Sequence, residues 1–163
     1  MIVLGIDPGT EVMGYGVVAS EGSRLRCIDA GVLRTTGELA RRLCDLRDGL
    51  EVLFERFAPA SVAIEEVFVH RNVRTAIRLG QAQAVLFLAA GARGLEVKGY
   101  PPATVKRAVV GNGRAHKVQV RTMVGRLLGI ELPTARFDAT DALGVAICHA
   151  QATRTAARVA RAQ

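Results

Sequence analysis

The chain has 163 residues, half of them hydrophobic, which is enough for one domain with a packed core. It contains no run of eighteen apolar residues, no secretory leader and no C-x-x-C pair among its three cysteines. We therefore expect a cytoplasmic protein without a membrane span, a disulfide framework or a zinc site. The net charge of +7 is unevenly placed, since residues 1–65 have a net charge of −3 and residues 66–163 one of +10. This asymmetry suits a nucleic-acid-binding surface, although a basic ribosomal or membrane-surface protein would share it.

Three strands are predicted at the start of the chain. Ile2–Ile6 is a β-branched apolar run that stops at the turn residues Asp7-Pro8-Gly9. Residues 15–19 and 25–33 are two further apolar runs joined by a short polar turn. Together the three predict an antiparallel meander.

A helix and a buried strand follow. Thr35 and Glu38 have the spacing of a capping box, and large apolar residues from Leu39 to Phe57 repeat at steps of three and four. This pattern predicts a helix that Pro59 closes. The next segment, Ser61–Glu65, is apolar without polar alternation, which is typical of a central parallel strand.

The second half is predicted to be mostly helical. We expect a long helix over residues 72–92, a strand over 95–100, and helices over 103–110, 117–128 and 139–160. The order predicts an α/β fold with a mixed five-stranded sheet, three antiparallel strands and then parallel ones, with helices on both faces. We expect one domain over residues 1–163, with a basic tail over 151–163.

Four acidic residues stand at positions that this fold would bring together. Asp7 and Glu65 each end a strand, and carboxyl ends of parallel strands meet at one edge of a sheet. Asp138 and Asp141 are three residues apart at the start of the last helix, so they share one face. Each acid also has an ordinary structural role open to it, as a turn former, a solvated charge, a helix cap or a first-turn charge.

Converging carboxylates require neutralisation, because two like charges ~4 Å apart repel by about 4 kcal/mol at an effective dielectric constant near 20. Some acids take up protons, or divalent cations bind. Carboxylate oxygens without sulfur or histidine favour Mg²⁺ or Mn²⁺. Two such cations are suited to phosphodiester hydrolysis, which agrees with the basic residues around the acids.

Several strings of the sequence resemble the RuvC family of crossover-junction endodeoxyribonucleases. They are GIDPGTEVMGYGVV, AIEEVFVHRNVRTAIRLGQA and DATDALGVAICHA, with PPATVKRAVVGNG and KVQVRTMV between the last two. The resemblance covers roughly residues 1–150 and implies a ribonuclease-H-like fold. It also implies a Holliday-junction resolvase that nicks opposed strands in homologous recombination and DNA repair.

The resemblance assigns catalysis and metal binding to Asp7, Glu65, Asp138 and Asp141. It implies two Mg²⁺ ions per site, replaceable by Mn²⁺, and products with 5′-phosphate and 3′-hydroxyl ends. The family commonly has Gln where this chain has Glu66. Successive strand residues face opposite ways, so one of Glu65 and Glu66 reaches the metals, and the I-E-x-V-F register favours Glu65.

The resemblance also implies a DNA-binding set around the acids. Phe68 is expected to stack on an unpaired base, although core burial is the commoner role for Phe. The basic members are expected to contact phosphates, although a solvated face is their ordinary role. They are Arg71, Arg74, Arg78, Lys106, Arg107, Arg114, Lys117 and Arg121.

The expected partners are four-way junction DNA, a second copy of the chain and a RuvA–RuvB branch-migration complex. A junction has two equivalent strands related by a two-fold axis, which a symmetric dimer matches. We expect the interface on the helix around residues 78–88, where Gly80, Ala82 and Ala84 are small.

Three alternatives remain at this stage. GIDPGT also resembles the first phosphate loop of actin-like ATPases and sugar kinases, although no second Gly-rich phosphate loop follows. A junction-binding protein without catalysis would not need all four acids. A ribonuclease H or transposase core would use similar carboxylates, but the basic helix after Glu65 and the LGQA segment favour the resolvase.

Overall fold

The computed structural model describes residues 1–66, 73–132 and 137–161. Within these ranges the chain forms five strands and five helices in the predicted order. They are β1 (Ile2–Asp7), β2 (Val12–Glu21), β3 (Arg24–Arg34), α1 (Leu39–Phe57), β4 (Ser61–Glu65), α2 (Val73–Gly91), β5 (Val97–Tyr100), α3 (Pro102–Val110), α4 (Lys117–Leu128) and α5 (Phe137–Arg161).

The strands form one mixed sheet in the order β3-β2-β1-β4-β5. Strands β1, β2 and β3 pair antiparallel, as the predicted meander requires. Strand β4 pairs parallel with β1 on one side and with β5 on the other. The pairing Ile6↔Ile64 places the carboxyl ends of β1 and β4 side by side, which is the arrangement expected for Asp7 and Glu65.

Helices cover both faces of this sheet. On one face, Leu4, Ile6 and Ile64 pack with Leu50 of α1 and Leu86 of α2 in a buried cluster. On the other face, the opposite side chains of the same strands meet α3, α4 and α5 in two further clusters. The central strand β4 is therefore buried on both sides, which explains its unbroken apolar sequence.

The predicted capping box at Thr35 is wrong. Helix α1 begins at Leu39, its N-cap Glu38 makes no capping hydrogen bond, and Gly37 has a left-handed backbone with φ of 86°. The Thr35 hydroxyl instead donates a hydrogen bond to the Thr10 carbonyl 2.5 Å away. A hydrogen bond to the turn after β1 therefore replaces the helix cap that the local spacing predicted.

In the described ranges, no helix is both long enough and apolar enough to cross a bilayer.

Candidate active site

Helix α5 lies close against the sheet because glycines face it. A methyl group at Gly5 would overlap the carbonyl oxygen of Ala142, and one at Gly14 would overlap the carbonyl oxygen of Asp138. Strands β1 and β2 thus present bare backbone beneath the first turns of α5. This contact sets the height of Asp138 above the ends of the strands.

All four predicted acids lie at this end of α5. Gly5 of β1 and Ala63 of β4 face α5, so Asp7 and Glu65, two residues further along each strand, face it as well. Asp138 and Asp141 occupy the start of α5, which begins at Phe137. Strand alternation and one helix turn therefore bring together the four carboxylates that are far apart in sequence.

Glu66 lies on the other face of the sheet. Its carboxyl group occupies the space above Gly99 of β5, so closely that a methyl group there would overlap it. The Glu66 amide also donates a hydrogen bond to the Tyr100 carbonyl. The structure places Glu65 beside the other acids and Glu66 away from them.

The acids interact strongly. Burial, the largest cause, and the charges of Asp141, Glu65 and Asp138 together raise the pKa of Asp7 to about 8, while the charge of Lys117 lowers it. Burial and the Asp141 charge likewise raise the pKa of Glu65. A pKa of about 8 keeps a proton on Asp7 at neutral pH, as expected for a buried carboxyl group close to other acids.

Burial also raises the pKa of Asp141, and two lysines offset that effect. Lys117 has its ammonium nitrogen 3.7 Å from a carboxylate oxygen of Asp141, and its side chain is 70% exposed. The charges of Lys117 and Lys106 both lower the pKa values of Asp141 and Glu65. These two residues, from α4 and α3, place positive charge beside the acids at the open side of the site.

The donor chemistry of this cluster fits hard divalent cations. The four groups offer only carboxylate oxygens, and a bound cation would relieve the repulsion among them that adds to burial in raising the pKa of Asp7. As the side chains stand, no three His, Cys, Asp or Glu residues in the described ranges are arranged to hold a metal ion. The acids are neighbours rather than a closed cage, so metal binding requires them to draw together.

Comparison with known proteins identifies the family. The family model for crossover junction endodeoxyribonuclease RuvC matches residues 3–149. The chain belongs to this family. It is 41% identical over 161 residues to the RuvC of Natranaerobius thermophilus, covering 98% of this chain and 100% of the relative. It is 47% identical over 158 residues to the RuvC of Rubrobacter xylanophilus, covering 96% and 88%.

Solved structures agree with this assignment. A structure of Thermus thermophilus RuvC in complex with a Holliday junction substrate superposes with a TM-score of 0.90 at 34% identity, covering 96% of each chain. The predicted ribonuclease-H-like fold is confirmed by this match and by the mixed five-stranded sheet. The chain is therefore an endonuclease of the RuvC family, whose members are junction-resolving nucleases that depend on divalent metals.

The predicted DNA-binding residues differ in whether the structure describes them and in how exposed they are. Phe68 and Arg71 lie outside the described residues. Arg121 of α4 is half-buried, with its guanidinium 5.6 Å from the ring centre of Phe137, the residue before Asp138. The other arginines of the set are exposed on α2, on α3 and on the loop before α4, and they are Arg74, Arg78, Arg107 and Arg114.

Two features of the site could not be predicted from the sequence. One is the close contact of Gly5 and Gly14 with α5, since glycines in strands have many uses. The other is a pair formed by Tyr100 and His149, 49 residues apart, whose hydroxyl oxygen and ring Nδ1 are 2.9 Å apart. An isolated histidine in an apolar helix is most often a satisfied core residue, and its partner is known only once the strands are placed.

Proposed function

We propose that this protein resolves Holliday junctions by paired, symmetric nicks in opposed strands, during homologous recombination and DNA repair. The observation that carries the proposal is the cluster of four carboxylates at the ends of β1 and β4 and the start of α5. Membership of the RuvC family supports the same activity. The relative from Thermus thermophilus was solved with a Holliday junction, which supports the same substrate here.

Asp7, Glu65, Asp138 and Asp141 would hold two Mg²⁺ ions, which Mn²⁺ could replace. Bound cations supply the positive charge that stabilises a phosphodiester as its negative charge increases during hydrolysis. In the overall reaction, water adds to phosphorus and the bond to the 3′-oxygen breaks, which leaves 5′-phosphate and 3′-hydroxyl ends. Because its pKa is raised to about 8, Asp7 would lose a proton on binding a cation at neutral pH.

The basic residues would hold and orient the DNA. Lys106 and Lys117 lie beside Glu65 and Asp141, which supports a role for both in contacting the phosphate that is cut. The remaining cations would contact the backbone of the arms and contribute most of the affinity through counterion release. This group consists of Arg71, Arg74, Arg78, Arg107, Arg114 and Arg121, and Phe68 would stack on an unpaired base beside it.

A two-fold dimer would supply two matched active sites. Helix α2 exposes apolar side chains along its length, with Val73 at 69%, Ile77 at 57% and Leu88 at 75% exposure. Gly80 has open space above it, which would allow a partner helix to approach. Ala82 was expected in this interface, but that expectation is wrong because Ala82 is fully buried within the core of its own protomer.

The proposed reaction also has a partner complex and a cellular compartment. Junctions are moved by a RuvA–RuvB branch-migration complex, and we place this protein with that complex in the cytoplasm. The support is its membership of the RuvC family.

Two neighbouring substitutions test the assignment of the acids. Glu65→Gln removes a carboxylate on the α5 side of the sheet and is expected to reduce cleavage of a four-way junction by at least about a hundredfold. Glu66→Gln makes the same chemical change on the opposite face and is expected to leave most of the activity. A dead Glu66→Gln variant together with an active Glu65→Gln variant would contradict the assignment.

A further inference from the structure

Tyr100 and His149 form a polar contact beside the acids that the proposed reaction does not use. Tyr100 is the last residue of β5, and His149 lies near the middle of α5 with only 9% of its surface exposed. The Tyr100 hydroxyl is 2.9 Å from His149 Nδ1, and the two rings meet edge to face with centres 5.7 Å apart. The pair therefore has both a directional bond and a fixed ring geometry.

The histidine is suited to accept this bond. Burial and the nearby Lys98 charge lower the pKa of His149, so its ring is neutral at neutral pH. The second ring nitrogen, Nε2, lies 3.5 Å from the hydroxyl oxygen of Thr153, one turn further along α5. A neutral ring with its proton on Nε2 leaves Nδ1 free to accept from the Tyr100 hydroxyl.

This pair joins α5, which carries two of the acids, to β5, the strand beside the one that carries Glu65. Tyr100 is in register with Glu65 on the adjacent parallel strand, and its carbonyl accepts the amide hydrogen bond of Glu66. Neighbours in register on parallel strands face the same way, so the Tyr100 ring stands beside Glu65 on the α5 side. His149 is on α5, the helix that carries Asp138 and Asp141.

The other contacts around the Tyr100 ring are apolar and small. Ala63, Val105, Val145 and Cys148 form the buried cluster against which it packs. Apolar packing is non-directional, so these contacts alone tolerate small shifts of α5 along the sheet. A hydrogen bond at 2.9 Å does not, because it weakens steeply as its geometry changes.

We propose that Tyr100 and His149 are a positioning pair that fixes α5 along the sheet and so sets the separation between Glu65 and Asp141. The inference rests on the proposed metal site, because it concerns how well these acids draw together around divalent cations. Outer residues that orient metal ligands typically affect metal affinity by about ten- to a hundredfold. The proposed role of the pair needs no contact with metal or DNA, because the pair acts only through the position of α5.

The test is metal binding by the full-length protein without DNA, measured by calorimetric titration with MnCl₂. Tyr100→Phe removes one hydroxyl and keeps the ring, so the fold should be retained, with a urea midpoint near that of the wild type. We expect its Mn²⁺ affinity to fall about tenfold, with a matching increase in the metal concentration that half-saturates junction cleavage. Junction binding in EDTA should change less than about twofold, because the phosphate contacts are untouched.

Tyr15→Phe is the matched control, since Tyr15 is the only other tyrosine and packs with the core cluster on the opposite face of the sheet. It should leave Mn²⁺ affinity unchanged. His149→Leu should lower that affinity as Tyr100→Phe does, and the double variant should be no weaker than either single variant. An unchanged Mn²⁺ affinity in Tyr100→Phe, or losses that add in the double variant, would overturn the positioning role.

The same titration separates this inference from the proposed function. Asp7→Asn should bind Mn²⁺ much more weakly than Tyr100→Phe if the acids form the metal site. Normal Mn²⁺ binding by Asp7→Asn would mean that the metal site itself is misassigned. Weak binding by Asp7→Asn with normal binding by Tyr100→Phe would reject the positioning pair alone.

Discussion

Replacing Asp7 with Asn is expected to stabilise the metal-free protein. Burial and three neighbouring acids raise the pKa of Asp7 from the ordinary value of 3.8 to about 8. At pH 7 the folded protein therefore retains a proton that the unfolded chain releases. That difference favours unfolding. Asn is neutral and nearly the same shape, so the Asp7→Asn variant releases no such proton when it unfolds.

The size of the effect follows from the linkage between pKa and stability. Between pH 4 and pH 8 this group lowers the free energy of unfolding by up to about 1.4 kcal/mol for each pH unit. The full shift would cost about 4 kcal/mol at pH 7, and because Asp7 retains some contact with solvent we expect about 2–4 kcal/mol. Because the pKa of Asp7 is raised in the folded protein, its contribution to the free energy of unfolding is most favourable at acid pH and is lost as the pH rises.

Urea unfolding in EDTA at pH 5, 6, 7 and 8 measures this difference. Asp7→Asn should unfold at higher urea than the wild type, and the gap should widen as the pH rises. Glu66→Gln is the control, since it makes the same acid-to-amide substitution at an exposed residue on the other face and should change stability by less than about 0.5 kcal/mol. Equal stability of Asp7→Asn and wild type at every pH would refute the electrostatic reasoning.

Three further substitutions, the first of them with a matched control, test how the site is built and used. Gly14→Ala should displace the carbonyl of Asp138 and reduce junction cleavage by at least about tenfold, whereas Gly91→Ala, which meets open space, should be neutral in the same assay. Phe68→Ala should reduce cleavage more than junction affinity, and equal losses in a gel shift and a cleavage assay would indicate a structural Phe. Leu88→Glu should convert a dimer to a monomer in sedimentation at micromolar concentration, and an unchanged dimer would place the interface elsewhere.

Much of the fold follows from local patterns in the sequence. The turn after β1, the unbroken apolar run of β4 and the helical repeat of α1 gave the correct elements in the correct order. Strand alternation also predicted that Glu65 and Glu66 face opposite sides, and Glu66 indeed lies above Gly99. These signals are reliable because they arise from backbone geometry and burial within a few residues.

Features that depend on tertiary contacts could not be predicted in this way. Thr35 has the spacing of a helix cap, but its hydroxyl bonds to Thr10, 25 residues earlier. Ala82 looks like a small interface residue, yet it is buried in the core cluster that α2 forms with α1 and the sheet. The bond between Tyr100 and His149 requires β5 and α5 to be placed first, and no spacing in the sequence encodes that.

Mapping nicks on a labelled junction shows whether this protein cuts four-way junctions through its carboxylate cluster. The protein is incubated with Mg²⁺ and either a four-way junction or a linear duplex of the same sequence, beside Asp7→Asn and an EDTA control. We predict symmetric nicks in two opposed strands of the junction, an intact duplex, and no cleavage by Asp7→Asn although it still binds the junction. Equal cutting of the duplex, nicks that persist in EDTA, or an active Asp7→Asn variant would contradict the account.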